Sequence, residues 1–259
     1  MSDYQLFIES IYKKTGLDLS LYKEAQMKRR LTSLCNKRGF ASFGPYFQAI
    51  NKDQQLLQEF LDKVTINVSE FYRNPSRWNV LEKKILPELK KKRSKIRIWS
   101  AACSTGEEPY TLAIIANQLW PLAQIEITAT DIDPNVLARA KQGIYKDRAL
   151  QEVPDSIKKK YFHQEGQTFK VDDKLKQTIT FQKHNLLADK YPSNMDLIVC
   201  RNVLIYFTEE AKHTIYHNFS KALAKDGVFF VGSTEQIFSP EQYDFSVLDT
   251  FFYGKASIK

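Results

Sequence analysis

The first ninety or so residues repeat apolar positions at helical spacing and carry almost no strand signal. Phe7, Ile8, Ile11 and Tyr12 mark one helix, which Thr15-Gly16 ends. A second segment, Leu21 to Lys37, sets Met27, Leu31 and Leu34 on one side, while Lys23, Lys28, Arg29, Arg30, Lys37 and Arg38 crowd the remainder; Gly39 is its expected cap. Further helices are predicted over 43–50, 54–64 and 78–89, the last bent or ended by Pro87. The charge run Lys90 to Lys95 that follows reads as a solvated connector.

From Ile96 the pattern changes to strands alternating with helices. Strands are predicted at 96–99, 125–130, 195–200 and 228–231, and helices at 111–120, 134–142 and 209–223. Such repeated units imply a mainly parallel sheet covered on both faces. The short aromatic run Thr250 to Tyr253 reads as a terminal antiparallel edge strand. Between Tyr161 and His184, the runs Phe169-Lys170-Val171 and Thr178 to Phe181 suggest a small antiparallel insertion with Asp172-Asp173 at its tip. The expected fold is thus α/β: a helical domain over 1–75, a helix and basic linker over 76–95, and a doubly wound domain over 96–259 with a β insertion at about 158–184.

A chain of 259 residues with 43% apolar content can fill cores for both parts. The formal charge of +8 favours an acidic partner, whether nucleic acid, anionic lipid or protein. The N-terminus lacks the basic start and apolar run of a signal peptide, and no window is apolar for a membrane-spanning length. Cys35, Cys103 and Cys200 fit neither a disulfide framework nor a zinc site, so free thiols in a cytoplasmic protein without a metal are expected.

The first strand-to-helix turn, Ser100 to Tyr110, is where an open α/β sheet places a ligand. It holds one glycine, Gly106, followed by Glu107 and Glu108, where a dinucleotide site would have three glycines around a pyrophosphate. Two carboxylates repel phosphate, which suits an adenosine cofactor lacking a diphosphate; S-adenosylmethionine is the candidate. The plainer reading has both glutamates merely favouring the positive end of the next helix. The second strand ends in Asp131-Ile132-Asp133-Pro134. Asp131 is positioned to accept hydrogen bonds from ribose hydroxyls, whereas Asp133 before Pro134 reads as a helix cap. Asn185, after the insertion, has the donor and acceptor needed for an adenine edge. Arg201 and Asn202 follow a buried apolar run and are hard to explain as core; Tyr206 is also consistent with ordinary packing.

Taken together, Thr65 to Asn74, Ser100 to Tyr110, Ala129 to Asp133, Asn185-Leu186, Cys200 to Phe207 and Gly232 to Glu235 closely resemble the chemotaxis receptor methyltransferases, the CheR family, over essentially the whole chain. The resemblance implies a small helical domain joined to a class I S-adenosylmethionine-dependent methyltransferase domain with a small β subdomain. It implies methyl transfer to glutamate side chains on the cytoplasmic methylation helices of chemoreceptors, giving glutamyl methyl esters and S-adenosylhomocysteine. By the same resemblance, Asn67, Ser69, Arg73, Glu107, Asp131, Asn185, Leu186, Arg201 and Asn202 hold the cofactor, and Arg73 and Tyr206 place the reactive groups. Lys23, Lys28, Arg29, Arg30, Lys37 and Arg38 become a docking face for acid-rich receptor helices. Some members capture a receptor C-terminal peptide through a glycine-rich loop of the β subdomain; Gly166 is the only glycine between Tyr161 and His184, so this chain is expected to work without it.

A glutamate is already ionised at neutral pH, with a reference pKa of about 4.3, so methylation of its carboxylate needs no general base. That agrees with a sequence offering no catalytic dyad. Rival readings are a methyltransferase acting on another substrate, or a binding module that has kept the fold without the chemistry. Nucleic acid is not expected as the substrate, since no base-flipping signature or aromatic-rich basic groove is present. The expected protein is a monomer that meets the membrane only through its receptors.

Overall fold

The computed structural model describes residues 1–65 and 69–256. The chain divides into two compact units, Met1–Asn67 with Val203–Ile215, and Val68–Asn202 with Tyr216–Lys259. Among the described residues, no helix is long and apolar enough to cross a membrane.

The helical unit begins with α1 (Asp3–Thr15), opened by a capping box in which the Gln5 N–H donates to Ser2 Oγ and the Ser2 N–H to Gln5 Oε1. Gly16 ends it at φ 74°, a left-handed position that favours glycine. A 3-10 turn at Leu19–Leu21 leads to α2 (Glu24–Lys37), α3 (Phe43–Lys52) and α4 (Gln54–Thr65). The helices close on Phe7, whose ring lies 4.8 Å from that of Phe43 and 5.8 Å from that of Phe60. Residues 203–215 add a short strip to this unit. Tyr22 and Phe207 form an isolated antiparallel bridge, and the Lys23 N–H donates to the Tyr206 carbonyl at 2.9 Å.

The second unit starts with α5 (Pro75–Val80) and α6 (Leu86–Lys92), joined by a π-helical turn at Leu81–Ile85. Pro87 does not end the helix: the wide turn just before it loosens the α ladder where the proline lacks an N–H. There follow β1 (Ile96–Ala101), α7 (Glu107–Ala116), β2 (Ile125–Asp131), α8 (Pro134–Gln142), β3 (Ile144–Lys146), α9 (Asp155–Tyr161), β4 (Phe162–Glu165), β5 (Thr168–Val171), α10 (Asp173–Lys176) and β6 (Ile179–Lys183). The chain finishes with β7 (Met195–Cys200), α11 (Glu209–Ala222), β8 (Leu223–Val231), β9 (Phe245–Asp249) and β10 (Phe252–Lys255).

Seven strands form one sheet in the order β6-β2-β1-β7-β8-β10-β9, parallel except for β10, which runs antiparallel to both its neighbours. Every residue of β7 is buried, as expected of a central strand covered on both faces. A separate three-stranded sheet, β3-β5-β4, is antiparallel.

Several expectations are corrected. The run Thr178 to Phe181 does not belong to the small sheet; β6 pairs in parallel with β2, matching Ile127 to Ile179 and Ala129 to Phe181. Alternation marks a strand but does not choose its partner. The tip of the small hairpin is Gly166-Gln167, with Gly166 at φ 59°. Asp172 instead caps α10, its Oδ1 accepting from the Lys174 N–H at 2.8 Å. The aromatic C-terminal strand is not the edge, because β9 lies outside it.

All three tryptophans are buried and each indole N–H has an acceptor: Trp78 the Arg73 carbonyl, Trp99 the Thr130 hydroxyl, Trp120 the Arg93 carbonyl. The basic run is likewise not all solvated connector. Arg93 donates Nε to the buried Asp196 carboxylate at 2.7 Å and Nη2 to the Lys225 carbonyl at 2.6 Å. Removing one partner of such a pair strands the other charge. Arg93→Ala is expected to lose about 2–3 kcal/mol of stability in urea unfolding. Lys95→Ala, which breaks only an exposed 3.7 Å pair with Glu126, should stay within about 0.5 kcal/mol of the parent.

Candidate functional site

The chain leaves β1 toward β2 on one side and leaves β7 toward β8 on the other. This reversal opens a crevice beyond the carboxyl ends of the two strands. The turn after β1 folds tightly into it, with Ala102 at φ 62°, Ser104 at φ 49° and Gly106 at φ 97°. A Cβ on Gly106 would stand 2.9 Å from Ala140 Cβ and 3.0 Å from the Tyr145 hydroxyl, so this glycine is required by packing as well as by its dihedral. The turn is tied down from outside: the Cys103 N–H donates to the Thr130 carbonyl at 2.8 Å, and the Tyr145 hydroxyl to the Thr105 carbonyl at 2.7 Å.

Three carboxylates surround this turn. Asp131, at the end of β2, accepts from the Ser104 N–H on Oδ2 at 2.8 Å and from the Asp133 N–H on Oδ1 at 3.0 Å. It is 6% exposed, and burial pushes its pKa up to about 6 against those hydrogen bonds. Glu107, opening α7, accepts from Thr105 Oγ1 at 2.7 Å and from the Ser69 side chain; burial raises its pKa as well. Glu108 is pushed up to about 7 by burial, partly opposed by Arg201 and by a 2.8 Å hydrogen bond from Ser100 Oγ. Asp133 takes the separate role expected of it, capping α8 through the Asn135 N–H at 2.8 Å.

The opposite wall comes from two segments. Ser69, Glu70 and Arg73 line the cleft together with Ala102, Cys103, Ser104, Glu108, Arg201 and Asn202. Asn202, at φ 61°, donates its N–H to Glu235 Oε2, which also accepts from the Gly232 N–H at 2.9 Å. Glu235 therefore shapes the turn after β7, and Glu108 braces Arg201 at 3.7 Å. Neither role was legible from composition or spacing, although Glu235 lies in a motif singled out above.

The remaining candidates fall in different places. Asn185 closes a local turn, its Oδ1 accepting from the Leu187 N–H at 2.9 Å, so that acceptor is already engaged. The buried Leu186 offers its carbonyl to the Tyr191 hydroxyl at 2.8 Å. Asn67 lies outside the described residues. Tyr206 belongs to the helical unit, where the Arg30 guanidinium stacks 5.4 Å from its ring centroid. In the basic set, Arg38 is held by Glu59 at 2.6 Å and Lys28 sits over the Tyr4 ring, while Arg29 and Lys37 are exposed and have no ion-pair partner among the described residues. Among the described residues, no group of three or more His, Cys, Asp or Glu side chains is arranged to hold a metal ion.

The strand order with one reversed strand, the acid ending the second strand and the single-glycine first turn define a class I S-adenosylmethionine-dependent methyltransferase fold. Residues 2–65 match the family described as "CheR methyltransferase, all-alpha domain", and residues 67–252 match "CheR methyltransferase, SAM binding domain". The chain belongs to the CheR methyltransferase family. It is 45% identical to a "Chemotaxis protein methyltransferase" of Listeria innocua serovar 6a, across 98% of this chain and 97% of that one. A protein of the same description from Borreliella burgdorferi is 36% identical across 89% of this chain and 86% of that one.

Gly106→Ala tests the packing of the first turn. The substitution should lower stability by about 1–3 kcal/mol in thermal or urea unfolding, because it adds both strain at positive φ and a contact with Ala140.

Proposed function

We infer that the protein transfers the methyl group of S-adenosylmethionine to side-chain carboxylates of specific glutamates in chemoreceptors, releasing S-adenosylhomocysteine, in the cytoplasm. The observation that carries this reading is the match of both parts of the chain to one methyltransferase family around a crevice whose walls suit such a cofactor. The chemistry of the donor set supports the fit. Asp131 is a buried carboxylate with no cation at ion-pair distance among the described residues, and its oxygens retain acceptor capacity for two ribose hydroxyls. The first turn carries carboxylates where a diphosphate would need N–H donors.

When bound, the cofactor would supply a sulfonium methyl group: the acceptor carboxylate oxygen would bond to the methyl carbon as its bond to sulfur breaks, with S-adenosylhomocysteine as the leaving group. Asp131 would hold the ribose, with Glu107 of the first turn, Ser69 of the segment before α5, and Asn185 and Leu186 after β6 contributing to the cofactor site. Arg73 orients the carboxylate end of the site; for Tyr206 the family resemblance alone assigns a part in placing the reactive groups. No residue is asked to remove a proton, because the acceptor glutamate arrives ionised. Alignment and exclusion of water account for the acceleration. The exposed cations of α2, with Lys23 at its start, draw in acidic receptor helices.

The direct test supplies tritiated S-adenosylmethionine and a purified chemoreceptor cytoplasmic fragment. Base-labile label that vanishes when the candidate glutamates become alanine is the expected result; label in nucleic acid or in another protein instead would overturn the acceptor. Asp131 gives the pH signature. Its raised pKa means that its carboxylate is ionised, and able to accept two ribose donors, only above about pH 6. Affinity for S-adenosylhomocysteine should therefore fall as pH drops through 6, and Asp131→Asn should bind weakly with a flat profile in calorimetry. For docking, Lys28→Ala combined with Arg29→Ala should raise the receptor KM several-fold at low salt, and less at high salt.

A further inference from the structure

Residues 71–74 are tied one by one to distant parts of the second unit, to which they belong. The Phe71 N–H donates to the Ala149 carbonyl at 3.2 Å, and the Tyr72 N–H to Thr111 Oγ1 at 3.3 Å. Asn74 Nδ2 donates to Ser233 Oγ at 2.6 Å. Tyr72 and Asn74 both hold left-handed backbone, at φ 53° and 61°, so Arg73 sits between two unfavourable conformations. Such conformations persist only where surrounding contacts over-determine them, and they cluster at functional sites.

The Arg73 carbonyl is the centre of that restraint. It accepts two hydrogen bonds at 2.8 Å, from the Trp78 indole and from Arg201 Nη2. Arg201 has a side chain only 3% exposed, and its guanidinium packs against an edge-to-face pair of rings, Trp78 and Phe230, at 4.9 Å from each centroid. Its Nη1 is 3.7 Å from Glu108 Oε2, and Glu108 is in turn fixed by Ser100 Oγ at 2.8 Å. A guanidinium can pack against aromatic rings and still direct separate N–H groups toward a carbonyl and a carboxylate, which a lysine ammonium cannot do from one position. A residue so enclosed is poorly placed to bind a ligand chiefly by its own exposed surface, but well placed to hold its neighbour.

We propose that Arg201 is a positioning residue: it clamps the Arg73 carbonyl, with Glu108 and Ser100 as its anchor, and so aims the Arg73 side chain into the cofactor cleft. This rests on the reading of Arg73 as part of the methyl-transfer machinery. The buried cation is thereby assigned to backbone restraint, where motif and strand-end position alone had suggested direct cofactor contact.

The test is a double-mutant cycle on the full chain, using Arg201→Lys, Arg73→Ala and their combination. The readouts are calorimetric affinity for S-adenosylhomocysteine, and kcat and receptor KM with the receptor fragment. Lysine keeps the charge but cannot stack and span both partners. Arg201→Lys is expected to weaken S-adenosylhomocysteine about tenfold and to lower kcat with receptor KM little changed, whereas in the Arg73→Ala background the same change should cost less than about twofold in affinity. An equal loss in both backgrounds would overturn the clamp, since Arg201 would then act independently of Arg73. Unchanged affinity and turnover in Arg73→Ala alone would instead sink the reading of Arg73, and the clamp with it, without any change at Arg201. If Arg201→Lys does not fold by its melting curve, Glu108→Gln replaces it. That variant should show a several-fold loss that disappears with Arg73→Ala, and a loss that persists would overturn the proposal.

Discussion

Everything at the crevice depends on burying carboxylates where the strand order reverses. Glu107, Glu108 and Asp131 converge on one turn, and burial raises the pKa of each above its ordinary value. The chain tolerates this because each carboxylate has a different set of donors. Asp131 takes backbone N–H groups, Glu107 takes hydroxyls, and Glu108 takes a hydroxyl with an arginine at 3.7 Å. Three acids thus acquire three different electrostatic situations: among the described residues Glu108 has Arg201 at ion-pair distance, Glu107 feels Arg139 from farther away, and Asp131 has no cation at ion-pair distance.

The surrounding fold serves that arrangement. The tight turn at Ala102 to Gly106 exists because Ala140 and Tyr145 press against it and Thr130 anchors Cys103. The turn after β7 holds its left-handed residue because the buried Glu235 accepts two backbone N–H groups there. On the third side, Trp78 and Arg201 fasten the Arg73 carbonyl. These restraints are side-chain-to-backbone bonds across long sequence separations, the type of contact that sets a loop rigidly on a scaffold of strands.

The helical unit obeys a separate logic. Its core is aromatic, centred on Phe7, and its basic helix α2 keeps Met27, Leu31 and Leu34 inward while most of its cations remain outside. Residues 203–215 belong to this unit by contact, so Tyr206 meets Arg30 although 176 positions separate them in the chain.

Periodicity by itself determined the helical first part, the change to βα units at Ile96, the acid ending the second strand and the cap at Asp133. These are local properties, since a 3.6-residue or 2-residue repeat and a capping residue are stabilised by near neighbours. Motif order along the chain determined the family, because several long motifs in sequence carry more information than any one. Tertiary structure alone decided that residues 179–183 join the main sheet, that β9 covers β10, and that Arg93 is structural rather than solvated. It alone decided that Arg201 faces a backbone carbonyl and that Asn185 closes a turn. Each of these depends on a partner far away in sequence, and neither strand alternation nor residue type records which distant group a strand edge or a guanidinium will meet.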